Sequence, residues 1–158
     1  MPCTGVSTWN FVNITKPGGA ARRRGHIRVF NKLWRNFEII ALRAKSNSNY
    51  IAIEWPGNCT YWKLPKVRKL IQNLGLKAVS FDGCMLGLKS VVDGKPIRKQ
   101  WKILTNSEEI IKPYGGLKCN GHPEHRPCAG VDTKATENYT IEFVDRLHAG
   151  WQNKCVNL

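Results

Sequence analysis

Acidic residues are scarce in the first two thirds of this 158-residue chain. The whole chain contains 25 Lys and Arg but only 11 Asp and Glu. Residues 1 to 50 contain nine basic and one acidic side chain, and residues 51 to 106 contain ten and three. Residues 107 to 158 contain six and seven. Such an excess destabilises a compact fold by self-repulsion unless a polyanion neutralises it. The charge therefore predicts nucleic acid as the partner.

The sequence also has no apolar run near the roughly 20 residues that a membrane span needs, and its first residues lack a signal-peptide pattern. We expect an intracellular protein, nuclear or cytoplasmic, that does not contact a membrane. The six cysteines are then expected as thiols or metal ligands rather than as disulfides. A secreted, disulfide-bonded protein is the alternative. In an intracellular protein the N-x-S/T sequons at Asn13, Asn58 and Asn138 are interpreted as chance matches.

Apolar side chains at three- and four-residue spacing predict helices. One is predicted over residues 26 to 44, after a loop over residues 1 to 25. A second begins at Pro65 and ends at Gly75, since proline suits a first helical turn and glycine suits the position after the last turn. A C-terminal helix is predicted over residues 136 to 151.

Short apolar segments predict strands over residues 50 to 53, 77 to 81 and 101 to 104. Alternation of strand, helix and strand is typical of a parallel sheet. The expected fold is α/β, with a partial Rossmann-like, mainly parallel sheet flanked by helices, a Cys/His-containing loop and a C-terminal helix. We expect an α/β region over residues 1 to 112, the loop over residues 113 to 135, and a last segment, residues 136 to 158, packed on the same domain.

Four potential metal ligands recur at equal spacing in the predicted loop: Cys119, His122, His125 and Cys128. Thiolate and imidazole are the ligands that tetrahedral zinc prefers, so the spacing predicts a structural zinc site. Ten residues leave little chain to wrap an ion, so a cysteine from elsewhere, such as Cys84 or Cys155, is an alternative fourth ligand. A polar surface loop without metal is the other interpretation.

Basic side chains concentrate in two stretches, the first helix with its leading arginines and the segment between the last two strands. They are the expected nucleic-acid contacts: Arg22, Arg23, Arg24, Arg28, Lys32, Arg35, Lys95, Arg98 and Lys99. Phosphate contacts of this kind give affinity without sequence information.

Three segments in chain order resemble motifs of the cytosine-5 DNA methyltransferases, in a divergent form similar to sequences of phages and retroelements. They are Pro2-Cys3-Thr4-Gly5, Ile53-Glu54-Trp55-Pro56 and Lys95-Pro96-Ile97-Arg98-Lys99. Trp55-Pro56 replaces the Asn-Val of the family, and the third segment departs from its Gln-x-Arg-x-Arg pattern. The resemblance covers residues 1 to 106.

The resemblance implies that Cys3 is a nucleophile and that Glu54 holds the target base, the two catalytic groups of this chemistry. The half that binds S-adenosylmethionine precedes the Pro-Cys loop in the family and has no counterpart here. The resemblance therefore implies a fragment that binds nucleic acid, with DNA as the first expectation, and that is inactive alone, with S-adenosylmethionine as cofactor only if that half is supplied. The alternative is a non-catalytic, basic nucleic-acid-binding module with a structural zinc site. The sequence leaves the oligomeric state open.

Overall fold

The computed structural model describes residues 14 to 155, which form a small sheet covered by helices on both faces. The strands are β1 (Ala52–Pro56), β2 (Lys77–Asp82) and β3 (Gln100–Thr105). The α-helices are α1 (Gly19–Ser46), α2 (Pro65–Leu74), α3 (Glu108–Ile111), α4 (Val131–Ala135) and α5 (Ile141–Cys155). Short 3-10 turns lie at Thr60–Lys63, Gly83–Leu86 and Lys112–Tyr114.

The expected parallel sheet is wrong, because the three strands have the order β1-β3-β2 and both neighbours of β3 run antiparallel to it. Ile103 of β3 lies opposite Glu54 of β1 and Val79 of β2. Because β1 and β2 both run antiparallel to β3, they run parallel to each other, and α2 is the crossover that connects them. They are not neighbours in the sheet, since β3 lies between them. The alternation of strand and helix thus indicated the β1-α2-β2 crossover and could not show that β3 lies within it.

One face of the sheet packs against α1 and α2. Trp55 of β1 lies at the centre of this core and contacts Trp34 of α1, Tyr61 and Trp62, with ring centroids 4.5 to 6.0 Å apart. Phe30 of α1 stacks on Tyr61 at 3.7 Å. These aromatic rings account for the apolar spacing of α1, which becomes the face that the helix buries.

The opposite face packs against α3, α5 and the turn that follows α3. Phe81 of β2 and Trp101 of β3 are fully buried there and contact Phe143 of α5. The hydroxyl of Tyr114 donates a hydrogen bond of 2.7 Å to the Phe143 carbonyl. The C-terminal helix therefore belongs to the same packed unit as the sheet.

The helix boundaries differ from the sequence expectation at α1, which begins at Gly19 rather than at residue 26, and at α5, which begins at Ile141 rather than at residue 136. Helix α1 begins at Gly19, directly after Gly18 with φ of 71°, so the arginines at 22 to 24 are helical rather than in a loop. Helix α2 begins at Pro65 and is followed by Gly75 with φ of 64°, as predicted. None of the helices over residues 14 to 155 combines the length and apolar character that crossing a membrane demands.

Candidate functional site

The structure brings together three of the four predicted metal ligands, and a different residue completes the group. Side-chain ligand atoms of Cys84, Cys119, His122 and His125 all lie within 4.8 Å of one another. Cys128 lies outside this cluster, with its Sγ 3.1 Å from the hydroxyl of Thr136. The fourth candidate ligand therefore comes from the turn after β2 rather than from the Cys/His loop, as the alternative with a cysteine from elsewhere expected.

Cys84 is placed by a tight turn directly after β2. Gly83 donates its N–H to the Lys99 carbonyl at 2.7 Å, and the Leu88 N–H donates to the Gly83 carbonyl at 3.0 Å. A Cβ atom on Gly83 would lie 2.8 Å from Leu88 Cδ2 and 3.0 Å from the Lys99 carbonyl oxygen. A side chain at this position would push the backbone away from β3, so glycine is needed to hold Cys84 where it is.

Asp82, which precedes this turn, holds the other cysteine of the cluster. Its buried carboxylate accepts the backbone N–H of Cys119 at 2.9 Å, and its own N–H donates to the Leu117 carbonyl at 2.9 Å. Arg98 Nε lies 3.5 Å from the same carboxylate. Asp82 thus joins the strand that carries Cys84 to the segment that carries Cys119.

Arg126 anchors the far end of the Cys/His loop. Its N–H donates to the Pro96 carbonyl at 2.9 Å, and its guanidinium contacts Asp132 at 3.1 Å and Asp93 at 2.8 Å. Burial opposes the ionisation of Asp132, but hydrogen bonds, including one from the Ser90 hydroxyl, lower its pKa below the ordinary value. The loop is therefore fixed at both ends around His122 and His125.

The donor set of the cluster fits a tetrahedral metal ion. Zinc bonds of about 2.3 Å to sulfur and 2.0 to 2.1 Å to nitrogen would place tetrahedral S and N ligands about 3.5 Å apart. Cys119 Sγ and His125 Nε2 are 3.4 Å apart. His122 Nε2 is buried and has no hydrogen-bond partner in the described part of the chain. A buried ring nitrogen without a partner is costly unless it has a ligand.

The two thiols differ in their electrostatic surroundings. Burial, with the neighbouring Cys119, raises the pKa of Cys84 to about 11. The backbone N–H of Gly121 chiefly lowers the pKa of Cys119, although partial burial opposes the change. Cys119 thus has the lower pKa of the two thiols, and a metal ion that binds both sulfurs as thiolates displaces their protons.

The two predicted catalytic residues cannot be compared directly, because Cys3 lies outside the described residues. Glu54 is half-buried on β1, where the Tyr139 hydroxyl donates to its Oε2 and its Oε1 is buried without a hydrogen-bond partner. Burial raises the pKa of Glu54, and the hydrogen bond from Tyr139 and the charge of Lys99 oppose that rise. The carboxylate therefore lies under the C-terminal segment, on the sheet face opposite α1.

The predicted basic contacts separate into two groups. Five of the six on α1 are exposed: Arg22, Arg24, Arg28, Lys32 and Arg35. Arg23 is half-buried. The three in the connector contact groups of the same chain, since Arg98 lies beside Asp82, Lys95 pairs with Glu124 at 2.7 Å, and Lys99 donates to the Thr136 carbonyl at 2.5 Å. The connector residues therefore support the loop, whereas those of α1 face solvent.

Basic charge is segregated by sheet face. Helices α1 and α2, which cover one face, contain eleven Lys or Arg residues and one acidic residue, Glu38. Helices α3 and α5, which cover the other face, contain two basic residues and four acidic residues. The sequence showed that its first two thirds are basic, and the fold places much of that charge on one side.

Comparison with known proteins gives no match, either to a family model, to a curated protein or to a solved structure. The methyltransferase resemblance of the segments at residues 2 to 5, 53 to 56 and 95 to 99 therefore stays a prediction. The parallel sheet that the alternation of strand and helix predicted is absent from the described residues. What the chain does must be inferred from the metal cluster and the basic face themselves.

Proposed function

We propose that this protein is a non-catalytic nucleic-acid-binding module, in which the layer of α1 and α2 contacts phosphates and a structural zinc ion holds the Cys/His loop. The observation that carries the proposal is the segregation of basic charge onto one face of the sheet. Side chains that only solvate a fold need no such one-sidedness. A polyanion that lies along one face accounts for it.

Helix α1 presents its charge in a form suited to a phosphate backbone. With 3.6 residues per turn, its outward positions 24, 28, 32 and 35 fall within a sector of about 80°, opposite the face that packs on Trp55. At 1.5 Å per residue they extend over about 16 Å, the length of roughly five phosphates along one strand. We call these four residues the basic stripe: Arg24, Arg28, Lys32 and Arg35.

The metal part of the proposal rests on the four protein ligands of the cluster. Two thiolates and two imidazoles are a common set for zinc, and four protein ligands close the tetrahedron and leave no position for a substrate. The ion would tie the end of β2, through Cys84, to the loop that carries the other three ligands. A structural role follows from this closed arrangement.

The methyltransferase alternative has less support than the binding module. Glu54 shares its face of the sheet with Ile103 and Trp101, under Tyr139 and Phe143. The basic stripe lies on the helical layer of the other face. Nucleic acid bound along the stripe would therefore be separated from Glu54 by the sheet.

The experiment that tests the proposal measures affinity for a labelled DNA duplex at several salt concentrations. Replacement of the whole basic stripe by Gln should weaken binding and lower the slope of log affinity against log salt by about three to four, because each lost phosphate contact accounts for about 0.9. The matched control replaces four exposed lysines outside α1 and α2 by Gln: Lys89, Lys112, Lys118 and Lys134.

Both variants lose four positive charges, so a long-range effect of net charge would lower the two slopes equally. The proposal expects the larger loss in the stripe variant. Failure of the wild-type protein to bind nucleic acid of either kind, duplex or single strand, at low salt would contradict the proposal, and so would equal losses in the two variants. Circular dichroism should show the same helical content for all three proteins.

A further inference from the structure

A second stripe runs along α1 beside the basic one, and it is aliphatic. Five aliphatic side chains of α1 are 38 to 66% exposed, although α1 already buries an apolar face against the sheet: Val29, Leu33, Ile39, Ile40 and Leu42. Helical spacing places Val29, Leu33 and Ile40 within a sector of about 40°, whereas Ile39 and Leu42 fall in the sector of the basic stripe. We call Val29, Leu33 and Ile40 the aliphatic stripe. Exposed aliphatic side chains in a row are an interaction surface when a partner with apolar parts can cover them.

Charge decides against a second copy of this chain as that partner. Helix α1 carries eight basic residues and one acidic residue, so two copies joined along their aliphatic stripes would bring two strongly positive helices together. Like charges brought together in such an arrangement cost free energy, which disfavours a second copy. The partner that fits has negative charge and apolar surface side by side.

We propose that α1 binds single-stranded nucleic acid, with phosphates on the basic stripe and unpaired bases against the aliphatic stripe. This inference rests on the nucleic-acid binding proposed above and names its substrate class. The bases of a duplex are stacked inside, so a duplex offers phosphates to the basic stripe and leaves the aliphatic stripe unused. A single strand offers both, because the face of every base is apolar and accessible.

The positions of the two stripes agree with the size of a nucleotide. Their centres lie about a third of a turn apart around α1, which at a helix radius of 5 to 6 Å separates them by roughly 9 Å. That separation is comparable with the reach from a phosphate to the far edge of its base. No aromatic side chain belongs to either stripe, so the bases would pack on aliphatic groups. Such packing involves no hydrogen bonds to the base edges, and we therefore expect no strong preference for particular bases.

The test compares two probes under the same salt conditions: a labelled thymidine oligonucleotide of about 20 nucleotides and a DNA duplex of the same length. The variant replaces Val29, Leu33 and Ile40 by Gln, which keeps the helix propensity high. The matched control makes the same change at three aliphatic residues outside α1 that are 64 to 77% exposed. These are Val91, Val131 and Ile141.

We expect the aliphatic-stripe variant to bind the single strand about ten-fold more weakly and the duplex less than two-fold more weakly. The control should bind both probes as the wild type does. Equal losses for the two probes, or no loss for the single strand, would overturn the inference and leave phosphate binding intact. A wild-type protein that binds neither probe would instead contradict the proposed function itself.

Vesicles of phosphatidylserine and phosphatidylcholine give a further arm of the experiment, because a basic and aliphatic helix face also suits an anionic membrane surface. Vesicle binding that exceeds single-strand binding and is lost in the aliphatic-stripe variant would overturn the inference. Vesicle binding weaker than single-strand binding would support it. Circular dichroism of each variant identifies any loss of affinity that comes from unfolding.

Discussion

Replacement of Cys84 by Ser distinguishes the ligand set of the structure from the set that sequence spacing predicted. The four clustered residues include Cys84 and exclude Cys128, whose sulfur contacts the Thr136 hydroxyl instead. We expect the wild-type protein and Cys128→Ser to retain about one zinc per chain, and Cys84→Ser to retain much less. His122→Ala removes a half-buried ligand and should lose metal in the same way.

The effect on stability follows from the length of chain that the metal closes. A cross-link between positions 84 and 119 encloses about 35 residues, for which the chain-entropy relation gives about 4 kcal/mol of free energy of unfolding. In a chain of this size that change corresponds to a fall in Tm of about 10 °C. A chelator should produce a similar fall in the wild type and little further change in Cys84→Ser.

The assay combines metal analysis of the purified proteins with thermal unfolding, with and without chelator. Substitution by Co(II) adds a spectroscopic check, since thiolate-to-metal absorption should decrease in Cys84→Ser and persist in Cys128→Ser. Retention of metal by Cys84→Ser, with loss of metal from Cys128→Ser, would refute the ligand set derived from the structure. A folded wild-type protein that contains no metal and is indifferent to zinc would refute the metal site altogether.

Three further substitutions test local arguments. Glu54→Gln keeps an oxygen for Tyr139 and removes the ionisable group. Because the pKa of Glu54 is raised in the folded protein, its protonated form contributes stability below the ordinary pKa of 4.5, and that contribution is lost as the pH rises. The free energy of unfolding in urea should therefore be higher in the variant than in the wild type at pH 7, but not at pH 4. Gly83→Ala should lower the free energy of unfolding by about 2 kcal/mol and displace Cys84, as metal analysis would show. In Gly25→Ala the new Cβ meets open space within α1, so the free energy of unfolding should rise by about 0.5 to 1 kcal/mol. A more stable Gly83→Ala protein, or a less stable Gly25→Ala protein, would contradict the packing described.

Local signals in the sequence predicted α2 correctly, because the residues at the two boundaries themselves determine where this helix begins and ends. Pro65 has the fixed φ of a first helical turn, and Gly75 adopts the left-handed φ that follows the last one. The apolar spacing of α1 was read correctly for the same reason, since it records the side that packs on Trp55 and Tyr61. The start of α1 was predicted at residue 26 rather than at Gly19, because consecutive glycines have a low helix propensity.

The sheet could not be predicted in the same way, because strand order depends on partners that are distant in the chain. The segments around Ile53, Val79 and Ile103 were each recognised as strands, and α2 was recognised as a crossover. Nothing in those segments shows that the third strand inserts between the first two. The segment from residue 83 to residue 99, which connects β2 to β3, contains no α-helix. A parallel pair of strands usually needs a helical crossover, so this connection favoured an antiparallel pairing of β2 and β3.

The metal cluster shows the same division between local and distant information. Equal spacing identified Cys119, His122 and His125, which lie on one loop, and suggested Cys128 because it continues the spacing. Cys84 joins them only because Asp82, at the end of β2, binds the N–H of Cys119 and so brings two segments 37 residues apart to the same point. An acidic residue directly after a predicted strand and two positions before a cysteine, within a basic region, was the local sign of this contact. Replacement of Asp82 by Ala should therefore lower metal affinity although Asp82 is not itself a ligand, whereas Asn, which keeps an acceptor oxygen for the Cys119 N–H, should restore much of it.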